Sequence, residues 1–422
     1  MAFRMAAGLA ALLLGSAAGP ASAQGKDAFE PAPVLPGAQL APSALLRGPL
    51  HTVVEPVAVE GFFGKFIIES KFGKFSVVGE RMLAVRVNEL SAIEVLQNVQ
   101  QGQAFQDALL KSASAPIQFV QSAVTDPSKT VENVAQGLGS VIGRIGFLAR
   151  SGVETVADTA ANKGSTLAAT GSTGAYGPAP SGFNGDPFGY NKARREWAKK
   201  LNIDPYTSNP VLKPLLDKAA AATFAGTFAV DTAMGAVSMP MNFAVEMDTS
   251  VRDEVWNQPA LDLAKSNQSK LQAMGISDTV IRDFLRNTWF TPSLQTAFVS
   301  ALGKLGNIRG AESAVQVASR LEGETRVRFL IESLQMLDRF HVSDGGLAEL
   351  RMSNLVPVGI ARDGTVVAAV AIDYAYWNQD AADFAKRANP GKPRVLLIAG
   401  GTSEPARKEL ARSGFTVRSG YR

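Results

Sequence analysis

Apolar positions along the chain change their spacing several times, and each change predicts an element. Period-two alternation starts at Phe63: Phe66 and Ile68 are alternating apolar positions, Phe75 and Val77 repeat the pattern, and Leu83, Val85 and Val87 carry it on. Both arms open on the same Phe-Gly-Lys-Phe run, at 63–66 and 72–75, with Ser70-Lys71 and Val78-Gly79-Glu80 as breaks, so a short antiparallel meander is expected. From Asn88, read as a cap, the spacing becomes helical through Leu90, Ile93, Leu96, Val99, Phe105 and Leu109. A second helical stripe, Val131, Val134, Leu138, Val141, Ile142 and Ile145, carries Gly139 and Gly143, small residues that permit close approach of a partner surface. Residues 161–189 are Gly, Ser, Thr, Ala and Pro with scattered aromatics and mark a linker.

The middle of the chain is organised around 190–245: a basic aromatic helix at 190–201, a turn at 204–210, and an apolar run at 219–245 broken only by Asp231. That run is long enough to span a bilayer, which takes about 20 apolar residues. Its Ala, Gly, Thr and Ser content, its central Asp231 and Pro240 favour a central packed helix instead. Short helices follow over 258–341, among them one capped by Ser277 and one opened by Thr291-Pro292, which predicts a bundle or helical array. In the last part, 356–361 and 365–372 flank Asp363-Gly364 as a hairpin, Asn378 caps a helix, 394–398 is an unbroken apolar strand, and 404–412 and 415–418 add a helix and a strand. The fold class expected is therefore α+β and mainly helical: a small N-terminal β meander with helices, a helical middle region, and a compact C-terminal α/β module in the order ββαβαβ. The domain reading is 24–50 as a Pro/Ala-rich tether, 51–160, the linker at 161–189, 190–347, and 348–422.

Composition adds a compartment. Arg4, the apolar run 6–14 and Ala21-Ser22-Ala23 read as a cleavable export signal over 1–23. The 422 residues, 46% of them hydrophobic, can bury several cores, and none is cysteine, so disulfides, thiolate catalysis and cysteine metal sites are excluded. A periplasmic or extracellular location is expected, with peripheral attachment to a membrane as an open possibility. The formal charge of +4 does not argue for nucleic acid.

Candidate chemistry is sparse. Gly400, Gly401, Thr402 and Ser403 lie between a strand and a helix, where backbone N–H groups can hold an anion; Ser403 before Pro405 also reads as an ordinary helix cap. Lys192, Arg194, Arg195, Trp197, Lys199 and Lys200 combine bases with an aromatic, the pattern of an anionic-surface contact; it is also that of a solvated amphipathic helix with Trp197 inward. No catalytic or metal-binding motif occurs, no cofactor is implied, and His51 and His341 fall in the tether and at a helix end. Carboxylates such as Asp373 with Asp380 or Asp383 leave carboxylate hydrolysis at the C-terminal module open.

The exported start, the segment NIDPYTSNPVL (202–212) and the small α/β end make the layout resemble a group of uncharacterised secreted proteins of Gram-negative bacteria. The resemblance implies an exported compartment and carries over no functional residue. The expected role is non-enzymatic binding or structure toward a protein or envelope partner. Lipid binding or insertion through 131–150, 192–200 and 219–245 is the alternative, and a hydrolase at the C-terminal module the second.

Overall fold

The structure, a computed structural model, describes residues 29–107, 187–224, 247–306, 308–344, 346–387 and 393–422. The expected elements at 131–150 and 161–186, and most of the apolar run 219–245 with Asp231, lie outside the described residues.

The fold is the expected mixture: an antiparallel N-terminal sheet, a helical middle and a mixed C-terminal sheet with helices. The long strand β5 (Phe63–Ser70) is the spine of the N-terminal sheet. On one edge it pairs with β6 (Gly73–Val78), and on the other with β3 (His51–Val53) and β4 (Val57–Glu60) in succession; β1 (Val34–Leu35) and β2 (Arg47–Gly48) extend those two. Alternation works as read: Phe66, Ile68, Phe75 and Val77 are buried, and Lys65, Ile67 and Lys74 face outward.

Two expectations fail here. Leu83, Val85 and Val87 do not continue the sheet, because the chain turns at Gly79 into a 22-residue helix, α2 (Glu80–Gln101). Leu83, Val87 and Leu90 then share a helical face at i, i+4 and i+7, and Asn88 is an interior residue whose Nδ2 donates to Asn202 O at 3.2 Å. The tether is also shorter than expected. From Phe29 the chain packs, through a 3-10 turn (Gly37–Gln39) and the one-turn helix α1 (Ser43–Leu46), with Leu40 and Leu45 in the core. His51 belongs to β3, where its Nε2 lies 3.0 Å from Leu45 O.

Helices α3 (Pro187–Lys200) and α4 (Leu212–Phe224) form a hairpin against α2, and Trp197, Leu201, Leu212 and Leu216 share one core with the N-terminal sheet. A second core runs through the remaining helices and the C-terminal sheet. Those helices are α5 (Thr249–Asn257), α6 (Ala260–Ala273), α7 (Asp278–Leu285), α8 (Pro292–Lys304), α9 (Ala311–Ser319) and α10 (Glu324–Ser343). Thr291 caps α8 by accepting from Leu294 N at 3.3 Å, with Pro292 in the first turn. Phe284, Phe290 and Phe298 meet at centroid separations of 5.0, 5.1 and 5.7 Å. Hydrophobic packing thus divides the chain elsewhere than at residue 190: the first helical hairpin belongs with the N-terminal sheet, and the later helices with the C-terminal one.

The C-terminal sheet runs from β13 (Phe415–Ser419) through β11 (Arg394–Ile398), β9 (Val366–Val370) and β8 (Val356–Ala361) to β7 (Leu347–Ser353), with β9, β11 and β13 parallel, and the short β10 (Tyr374–Ala375) and β12 (Gly401–Thr402) pair parallel with each other. Helices α11 (Gln379–Arg387) and α12 (Glu404–Arg412) make the crossovers, and α10 packs on β8 (Val356–Ala361) and β9. The order ββαβαβ is present, preceded by an edge strand, β7 (Leu347–Ser353), which the sequence pattern hides. A register shift between Leu347 and Glu349 breaks its alternation.

Candidate functional site

Parallel strands β9 and β11 end side by side, and their carboxyl ends are where open α/β sheets place ligands. Beyond them the chain runs through Asp373 and through Gly400. The two backbones touch: Gly400 N donates to Ile372 O and Gly401 N to Asp373 O, both at 2.9 Å. A side chain on Gly400 would put its Cβ 1.9 Å from Asp373 O, so only glycine fits.

This contact aims Asp373 out of its own sheet and into the N-terminal one. Its Oδ2 accepts from Gly64 N at 2.7 Å, and both carboxylate oxygens lie 3.1 Å from Glu80 N. Helix α2 begins after Gly79, which has no side chain to cap it. The acceptor that its first N–H groups require comes from a residue 293 positions later. Asp373 is only 7% exposed. Burial pushes its carboxyl up to about 7; the bonds from Gly64 and Glu80 oppose that rise, and the neighbouring Glu80 and Glu332 carboxylates add to it.

Charges of both signs surround it. Arg422 Nη1 donates to Glu80 Oε1 at 3.2 Å, and its Nε donates to Ala399 O at 3.2 Å. Arg81 Nε donates to Glu332 Oε1 at 2.8 Å. Together with Phe63, Arg328 and Phe329 these residues line a shallow cleft that opens to solvent. A neighbouring shallow hollow, with Met247, Leu294 and Gln335 in its wall, shares Arg81, Arg328 and Glu332 with it, so the two adjoin along α10 as a shallow groove.

Arg328 also joins the groove to a buried polar network built on 202–212. Its Nε and Nη2 donate to Glu324 Oε1 at 3.0 and 2.6 Å, and Ser208 Oγ donates to Glu324 Oε2 at 2.7 Å. Arg86 donates to Ser208 Oγ at 2.8 Å and to Glu89 Oε2 at 2.7 Å; Glu89 also accepts from Asn209 Nδ2 at 2.8 Å and from Thr207 Oγ1. Asp204 Oδ1 accepts from Tyr206 N at 2.8 Å and Ser293 Oγ at 2.5 Å. Burial raises the carboxyls of Asp204 and Glu324, and burial followed by the charge of Arg86 brings Arg328 down to about 10. The segment is thus a polar joint among α2, α8 and α10.

The residues named from sequence fall elsewhere. The N–H groups of Gly400, Gly401 and Ser403 go to the carbonyls of Ile372, Asp373 and Ala375, and Thr402 Oγ1 lies 2.7 Å from Ser419 Oγ. Ser403 caps α12 through Ala406 N at 3.1 Å. Its hydroxyl donates to a carboxylate of the same chain, Glu30 Oε2, at 2.6 Å. On α3, Arg194, Arg195 and Trp197 are buried, with Arg194 Nε 3.4 Å from Asp217 Oδ1 and Trp197 Nε1 donating to Thr223 Oγ1 at 2.9 Å. Only Lys192, Lys199 and Lys200 of that set face outward. Asp373 is joined by Glu80 and Glu332, whereas Asp380 is exposed and Asp383 accepts from Gln379 Nε2. His341 sits in the last turn of α10, where its Nδ1 accepts from Leu347 N at 2.7 Å.

Among the described residues no cluster of His, Asp or Glu could hold a metal, and no helix is long and apolar enough to cross a membrane. No protein-family model, curated protein or solved structure matches the chain.

Proposed function

We propose that the chain is an exported cell-envelope protein whose role is to bind a protein or envelope partner, with the groove along α10 as its contact region. The export reading rests on the N-terminal signal pattern. The binding reading rests on one observation: the groove carboxylates are each committed to fixed donors. Asp373 is held by Gly64 N and Glu80 N, Glu332 by Arg81, and Glu80 by Arg422. Such pairs fix the walls of a recognition surface and present guanidinium edges and apolar side chains to a partner. The cysteine-free chain permits a direct test. Gln335→Cys, carrying a photo-crosslinker in the groove wall, is expected to give one adduct of defined mass in native envelopes, lost with Arg81→Glu. An adduct pattern equal to that of Lys408→Cys, on exposed α12, would refute the reading.

The hydrolase reading draws on a different observation, a carboxyl raised to about 7 in a cleft at the carboxyl ends of parallel strands. Turnover of chromogenic ester, phosphoester or glycoside substrates that disappears in folded Asp373→Asn would put catalysis ahead of binding.

A further inference from the structure

The segment at 29–35 crosses from the C-terminal module to the N-terminal sheet by contacts that the groove does not use. Glu30 N donates to Trp377 O at 2.7 Å, and Trp377 N donates back to Glu30 Oε2 at 2.6 Å. Ser403 Oγ donates to the same oxygen at 2.6 Å. Further along, Val59 N donates to Pro33 O at 2.9 Å, and Val34 and Leu35 pair with Ala58 and Val57 as an edge strand.

The receiving side is internally bonded without the segment. Ser403 is 8% exposed and already caps α12, and the N–H groups of Gly400, Gly401 and Ser403 are already bonded to carbonyls of the module. What the module still offers is the Ser403 hydroxyl, Trp377 N–H and Trp377 O: two donors and an acceptor spaced for one residue of extended backbone and its carboxylate. Near the pocket the segment buries little apolar surface, since Phe29 is 43% and Val34 60% exposed, and only Leu35 packs against a core. Its hold comes from hydrogen bonds and one charge, and Pro31, Pro33 and Pro36 lower the entropy lost on binding. Recognition by main-chain pairing plus a carboxylate pocket is a general mode of peptide capture.

We infer that the pocket formed by Ser403 and the Trp377 backbone, continued by the β4 edge, is a binding site for an extended peptide bearing a carboxylate side chain, and that 29–35 fills it in cis. This names a partner chemistry for the binding role proposed above, at a surface separate from the groove. Tethering gives the cis segment an effective concentration on the order of 1 mM, so a competitor succeeds when its carboxylate finds the pocket empty.

The test uses the full chain with Phe29→Cys labelled by an environment-sensitive dye, titrated with a synthetic peptide of residues 29–36. With Glu30→Gln in the chain, the peptide is expected to displace the labelled segment at a concentration at least tenfold lower than with Glu30 in place. A peptide carrying Gln at that position is expected to lose this advantage. Equal potency of the two peptides, or no displacement from either chain, overturns the inference. Should Glu30→Gln fail to fold by circular dichroism, Ser403→Ala takes its place. In that chain the Glu peptide must lose its advantage over the Gln peptide, and an undiminished advantage overturns the inference. Either failure leaves the groove cross-linking result standing.

Discussion

Asp373 makes stability depend on pH in the opposite sense to an ordinary ion-paired carboxylate. In the folded chain its carboxyl titrates at about 7 against an ordinary 3.8. Between those values the folded state holds a proton that the unfolded chain has released, so stability falls as pH rises from about 4 to about 7 and is level above that. A gap of this size is worth on the order of 4 kcal/mol for a fully buried group. Asp373→Asn isolates the effect. Its amide oxygen can stand where Oδ2 accepts from Gly64 N and Glu80 N, while the titration is abolished. Urea unfolding of both chains at pH 4.5 and pH 8 is the assay, because every other group titrates alike in the two. The difference in unfolding free energy is expected to move by about 2 to 4 kcal/mol in favour of Asn at the higher pH. A difference that stays constant within about 0.5 kcal/mol would refute the buried-carboxyl reasoning.

Other outcomes follow from the same geometry. Asp373→Ala leaves two buried N–H groups, Gly64 and Glu80, without an acceptor and is expected to cost about 2 to 5 kcal/mol by urea titration, more than Asn at any pH. Gly400→Ala drives a Cβ to 1.9 Å from the Asp373 carbonyl, a backbone clash, whereas at Gly401 the nearest atom, 2.9 Å away, is a ring carbon of Tyr374 that can shift. Thermal melting should show the first variant unfolded or severely destabilised and the second only mildly affected. Glu89→Ala strands Arg86 and is expected to cost about 3 to 5 kcal/mol, read by chemical denaturation. Replacing Lys192, Lys199 and Lys200 with glutamate should change stability by less than about 0.5 kcal/mol each, while Arg195→Glu should prevent folding, as protease sensitivity would report.

How far the sequence could be read depended on whether the controlling interaction was local. The hairpin at Asp363-Gly364, the caps at Thr291, Asn378 and Ser403, and the apolar strand β11 declare themselves within a few residues, and each formed where expected. The start of α2 did not, because Val85 and Val87 satisfy a strand pattern as well as a helical one, and the deciding cap is 293 residues away. A glycine opening a long helix with no capping side chain was the available sign that an acceptor had to come from elsewhere. The basic helix misled for a related reason. Arg194 and Arg195 look like surface charge in a list of residues, and only the packing of α4 and the 202–212 turn puts them inside. The groove could not be foreseen, since its walls come from α2, α8, α10 and the chain end.

The contact between Asp373 and the first turn of α2 also sets an order of events. As the chain is synthesised, the N-terminal sheet and α2 appear early, yet the acceptor that completes them is made only after nearly three hundred further residues. Until then two N–H groups at the junction have water as their only acceptor, and the long loop to Asp373 must close before they are paired. The junction between the two halves therefore closes only when the late half is in place. The seam between the two sheets is thus a contact of high sequence separation, the kind that a chain forms late.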